Sequence, residues 1–253
     1  MKDCRVNTRT FCLLIVLALF VTSGICCFLI KCGAGPGYYI NKLFSMPVDT
    51  ILTSIRYVEL VDEYYCLNNK YKDETVVVFV GDSITERFNI NEYFKSGNLI
   101  NRGIPSDTTY GLFNRLNTNI CNLQIGKLFL MIGYNDLQFR SNDEIILNIN
   151  KILKNITAKS IYVQSLLPVS IDKPEENTRI VMVNQMLKQI ADENGVVFID
   201  IFTPFLGNDG NGINPAMTGD GIHPNGEGYR LWANILKFDL GIMTVAGEPL
   251  LYD

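Results

Sequence analysis

The chain has 253 residues, 47% hydrophobic and 19% charged, enough for a folded domain with a sizeable core and against wholesale disorder. A formal net charge of -4, without a cluster of Lys and Arg, makes it a poor partner for phosphate backbones and sets nucleic acid aside. Seven cysteines with no Cys-x-x-Cys pair, beside a single histidine, supply too few ligands for a Cys/His zinc site.

From Phe11 to Ile30 the chain runs without a charge. As a helix this stretch reaches about 30 Å, the thickness of a bilayer's hydrocarbon core. Lys2, Arg5 and Arg9 precede it against one acid, Asp3, which favours a cytoplasmic N-terminus. Residues 1–32 are therefore expected as a cytoplasmic stub and transmembrane signal anchor, with the membrane as a partner. The protein would then be a single-pass cell-membrane protein whose remaining residues face outward. Two alternatives are a cleaved signal peptide, with small residues at Thr22-Ser-Gly24, giving a secreted protein, and a buried helix of a soluble one. Five cysteines lie in this segment. Cys66 and Cys121 remain, to pair if the domain is exported or to stay as separate thiols.

Residues 33–74 are expected as a helical connector. Gly33-Ala-Gly-Pro-Gly37 breaks the chain, after which Ile51, Ile55, Val58 and Val61 recur at helical spacing. A domain over 75–253 follows. Thr75–Val80 is a continuous apolar run of strand length, as in a strand covered on both faces. Weaker or similar candidates follow at 98–102, 127–132, 160–166 and 196–201. Helical patterns fill the gaps: Ser141-Asn-Asp-Glu144 is a capping box, Ile180, Val183, Leu187 and Ile190 share a face, and a last helix carries Trp232. Strands alternating with helices imply right-handed crossovers and a mostly parallel sheet, with ligands beyond the carboxyl ends of its strands.

Four segments lie at such ends or in the last long loop: Gly81-Asp-Ser-Ile-Thr85, Asn101-Arg-Gly-Ile-Pro105, Gly133-Tyr-Asn-Asp136 and Asp220-Gly-Ile-His-Pro224. A serine is a weak nucleophile until a base takes its proton. His223 is the sole imidazole available to Ser83, and Asp220, three residues earlier, is placed by a tight turn to orient it. The oxyanion of an ester's tetrahedral intermediate needs donors, for which the N–H groups of Ser83 and Gly103 and the amide of Asn135 are candidates. Each segment alone is ordinary: Gly-Asp-Ser occurs in turns and Asn-Asp caps helices. Their joint order, with the one histidine in place, is what points to a site.

Those four segments resemble the blocks that name the SGNH/GDSL hydrolase family, in which serine, glycine, asparagine and histidine occur in that chain order. Gly81-Asp82-Ser83, Gly103, Gly133-x-Asn135 and Asp220-x-x-His223 stand at the matching positions. The stretch NRGIPSDTT followed by GLFNRL is similar to bacterial relatives of platelet-activating-factor acetylhydrolase catalytic subunits. The resemblance implies a three-layer α/β/α sandwich on a flavodoxin-like sheet of five parallel strands, here beside the N-terminal transmembrane helix. It implies neither metal nor other cofactor. Ser83, His223 and Asp220 become nucleophile, base and acid, and Ser83, Gly103 and Asn135 the oxyanion hole. Tyr134 and Asp82 are candidates for contact with substrate, Asp82 alternatively holding a loop. The expected activity is an esterase working through an acyl-enzyme, removing short acyl groups, acetyl foremost, from carbohydrate or cell-envelope substrates. A lysophospholipase or acyl-thioesterase, and an O-acyltransferase, are the alternatives.

Overall fold

A computed structural model describes residues 55–94 and 98–240. Five strands, β1 (Thr75–Gly81), β2 (Leu99–Gly103), β3 (Gln124–Met131), β4 (Ala158–Gln164) and β5 (Val197–Ile199), form one sheet in the order β2-β1-β3-β4-β5. Every pairing is parallel. β1 lies inside with a neighbour on each side, which is why its β-branched run carries no alternation: Val76, Val78, Phe79 and Val80 are all buried.

Helices cover both faces. α1 (Ile55–Asn68) precedes the sheet; α2 (Ser83–Glu86) and α3 (Ile90–Tyr93) link β1 to β2. α4 (Thr109–Asn119), α5 (Asn142–Asn155) and α6 (Pro174–Glu193) make the next three crossovers, and α7 (Gly226–Leu240) closes the domain. α4, α5 and α6 pack in a row, with α1 against α4. On the opposite face the paired residues Phe79, Phe129 and Tyr162 stack at centroid distances of 4.9 and 4.6 Å. Phe88 and Trp232 of α7 stack beside them at 4.7 Å. Trp232 is wholly buried, and its indole N–H donates to Gln164 Oε1 at 2.7 Å, so the ring's one polar atom is satisfied.

The architecture with an N-terminal transmembrane helix is corrected here, together with the single-pass membrane placement and the membrane as a partner. Among the described residues no helix is long and apolar enough to cross a membrane. The physical reason is amphipathicity: even the longest helix, α6, buries Ile180, Val183, Leu187 and Ile190 while leaving a polar face to solvent. The stretch 11–30 itself lies outside the described residues. What the structure supports is a five-stranded parallel sheet flanked by helices. Of the segment 33–74, the described part is α1 and the short turn after it. Cys66 and Cys121 do not pair with each other.

Candidate active site

The carboxyl end of β1 presents Ser83. Beyond Gly81 the chain passes through Asp82 in extended conformation, and the Asp82 Oδ1 accepts the Ile84 N–H at 2.9 Å, capping α2. Ser83 is the first residue of that helix. His223 comes from the loop before α7, where Gly221 at φ +78° tightens the turn. A side chain at Gly221 would also press on Ser170 Cβ at 2.8 Å. The turn folds Asp220 over its own successors: Oδ1 accepts the N–H groups of Ile222 at 3.0 Å and His223 at 2.7 Å, leaving Oδ2 for the ring.

Ser83 Oγ lies 3.0 Å from His223 Nε2, and His223 Nδ1 lies 2.7 Å from Asp220 Oδ2. A carboxylate facing Nδ1 keeps the proton there, so Nε2 is the acceptor that faces the serine hydroxyl. Burial pushes against ionisation of Asp220, yet the N–H and ring of His223 and the N–H of Ile222 hold its carboxyl well below the usual carboxylate range. The acid is thus charged throughout the neutral range. With Asp220 half exposed and His223 one-fifth exposed, the line opens to solvent.

The neighbouring loops supply donors. Asn135 opens a short 3-10 turn after β3 and donates from Nδ2 to the Asp107 carbonyl at 2.9 Å, which fixes its amide beside the loop following β2 and leaves one N–H over. In that loop the N–H groups of Ile104, Asp107, Thr108 and Thr109 are bonded to Gly81 O, Ile104 O, Asp107 Oδ1 and Asp136 Oδ2. The Gly103 N–H is bonded too, to Asn101 Oδ1 at 2.8 Å. Ser106, in left-handed conformation at φ +60°, keeps its N–H without a partner among the described residues.

Asp82 is 1% exposed and faces inward, so the structure does not bring its carboxyl to a ligand. Burial pushes it up to about 7, with Asp107 and Asp136 nearby adding to the effect. Tyr134 is half-buried next to Asn135, its hydroxyl donating to Glu176 Oε2 at 2.8 Å, and Lys173 bonds the other Glu176 oxygen at 2.9 Å.

A family model described as GDSL-like Lipase/Acylhydrolase matches residues 79–231, a span that contains every one of these residues. The chain belongs to that family. As a GDSL-like hydrolase it is a serine hydrolase acting on ester bonds. Its fold is similar to that of a protein described as a platelet activating factor from Streptococcus pneumonia, at 27% identity and a TM-score of 0.67, covering 73% of this chain and 92% of that one. An acylhydrolase-type structure from Bacteroides fragilis is 26% identical with a TM-score of 0.62, covering 70% and 94%. A GDSL-like lipase from Bacteroides thetaiotaomicron is 25% identical with a TM-score of 0.63, covering 72% and 97%. No curated protein matches the chain.

Three residues of this GDSL-like hydrolase escape sequence reasoning. Ser106 carries no signal, because serine has no preference for the left-handed region and only the folded backbone reveals it. Asn101 reads as an ordinary strand residue, yet its side chain holds Gly103. Arg115 sits in α4 with no exposure at all, pairing through Nε with Asp107 Oδ2 at 2.8 Å and donating from Nη2 to the Arg102 carbonyl at 2.9 Å. It ties down the end of β2 immediately before the loop that carries Ser106.

Proposed function

We propose that Ser83 is the nucleophile, His223 the general base and Asp220 its orienting acid, with the N–H groups of Ser83 and Ser106 and the Asn135 amide as oxyanion donors. The observation that carries this reading is the unbroken line from Ser83 Oγ through His223 to Asp220, at 3.0 and 2.7 Å. In acylation, Nε2 takes the hydroxyl proton as Oγ bonds to the ester carbon; the same proton then goes to the departing alkoxide oxygen. Water repeats the steps on the acyl-enzyme, its proton passing through Nε2 back to Ser83 Oγ. Gly103 leaves the donor set of the sequence reading, since its N–H is bonded to Asn101, and Ser106 takes that place. Each donor of this kind contributes on the order of 2.7–4 kcal/mol to the transition state.

The substrate class we favour is a short acyl group, acetyl foremost, on a hydroxylated alcohol such as a carbohydrate. Two features support it: the half-exposed Asp220, which leaves the site open to a bulky alcohol, and the polar wall of Tyr134, Glu176 and Lys173 beside Asn135. The likeness of NRGIPSDTT to acetylhydrolase sequences points the same way.

The test is turnover of p-nitrophenyl acetate, butyrate and dodecanoate by the full chain beside Ser83→Ala. We expect acetate to be the best of the three and the variant to lose turnover by at least a thousandfold, with residual catalysis from the oxyanion donors. A preference for dodecanoate would replace the short-acyl reading with a lysophospholipase or thioesterase. Undiminished turnover by Ser83→Ala would remove the triad.

A further inference from the structure

α1 lies wholly before residue 79, where the family match begins, and yet its side chains reach the machinery at the ends of β1 and β2. Tyr64, 8% exposed, donates its hydroxyl to the Gly103 carbonyl at 2.7 Å. Gly103 is therefore held on both sides, its carbonyl by Tyr64 and its N–H by Asn101. Asn101 in turn donates from Nδ2 to the carbonyls of Thr85 at 2.6 Å and Phe88 at 3.1 Å, where the segment begun by Ser83 ends. Gly103 also touches α2 directly: a Cβ there would collide with the Glu86 backbone nitrogen and approach the Asp82 carbonyl to 2.9 Å. Behind Tyr64, the Arg102 guanidinium stands 4.8 Å from its ring centroid and is bonded twice to Asn68 of the same helix, at 2.6 and 3.0 Å.

We infer that Tyr64 is a positioning residue for ester hydrolysis: through Gly103 it sets the loop carrying the Ser106 N–H against the segment carrying Ser83. This rests on the oxyanion reading above. A tyrosine hydroxyl is suited to the task because it brings one directed bond from a rigid ring with few rotamers to immobilise. A shift of the loop by a fraction of an ångström lengthens the hydrogen bond to the developing oxyanion while leaving ground-state binding nearly unchanged, so the loss falls on kcat.

A second attachment of α1 supplies the control. Asn119 of α4 donates from Nδ2 to the Val61 carbonyl at 2.8 Å, tying down the same helix without touching Gly103 or the loop after it. Full-length Tyr64→Phe and Asn119→Ala are compared with wild type for kcat and KM on p-nitrophenyl acetate, for the rate of Ser83 capture by a fluorophosphonate, and for Tm. Tyr64→Phe is expected to lower kcat and the capture rate about tenfold with KM within twofold, while Asn119→Ala lowers Tm and keeps kcat within twofold. Wild-type kcat in Tyr64→Phe, or an equal loss in both variants, overturns the inference. Undiminished turnover in Ser83→Ala would sink the reading of the triad alone, since the tyrosine comparison is made against wild type.

Discussion

Asp82 joins protonation to stability. Its carboxyl is buried and ionises near pH 7, against about 4 in an unfolded chain. Between those values the folded state binds more protons than the unfolded one, so stability falls as pH rises through that window. Asp107 acts in the same direction up to about 6, burial outweighing the opposing Arg115 guanidinium beside it. Asp82→Asn keeps an oxygen for the Ile84 N–H and cannot ionise. Its Tm is expected to decline less than wild type between pH 5 and 7.5; parallel declines would reject burial as the cause. Asp220 is the opposite case, its folded value held low, so its contribution is present above pH 4 and lost only in stronger acid. Asp220→Asn presents an NH2 group to His223 Nδ1 and selects the wrong tautomer, for which we expect kcat to fall about 10²- to 10⁴-fold with little change in KM. Ser83, Asn135, Asp220 and His223 stand out in the sequence as candidates because their chemistry is in their type and spacing. Gly103 was legible as a special position but not in its role, because that role depends on which partner takes its N–H. For Asp82 the sequence leaves two readings open, a ligand contact or a loop-holding side chain, and its bond to the Ile84 N–H fits the second.

The elements differ in how plainly their sequences announced them. β1 and β3 were readable as apolar runs because both lie inside the sheet. β2 was weak on paper since Asn101 and Arg102 are polar, and the fold absorbs them: Asn101 bonds the end of α2, Arg102 bonds Asn68. The two late strands end before their expected runs do, because side chains take over the backbone partners there. The Leu166 N–H goes to Asn184 Oδ1 and the Ile201 N–H to Ser165 Oγ. α1 was visible as a helix, though nothing in its period revealed that it bears on the site. Asn68 is where its attachment is most exposed to test. Asn68→Ala leaves the Arg102 guanidinium, 3% exposed, without its Oδ1 acceptor. We expect a loss of about 2–3 kcal/mol in urea unfolding, well beyond the cost of a surface change.

At the scale of the molecule, the site depends on the two ends of the domain meeting. Ser83 and His223 are separated by 140 positions, and α7 is bound to α2 by the Tyr229 hydroxyl, which donates to the Ile84 carbonyl at 2.9 Å. Trp232, the one tryptophan, sits in that seam against Phe88. Its fluorescence therefore reports the docking that also brings His223 to Ser83. In a urea titration we expect the change in Trp232 emission and the loss of esterase activity to share one midpoint, as in a two-state domain. Activity lost at lower urea than the emission change would mean that the loop carrying His223 opens while α7 stays docked.

The same separation governs how the protein comes into being. A ribosome adding about 5–20 residues each second makes the serine first and the histidine on the order of ten seconds later. On the proposed reading, the nascent chain carries its nucleophile without a base throughout that interval. The cell meets a competent catalyst only once α7 has emerged and closed over the aromatic layer.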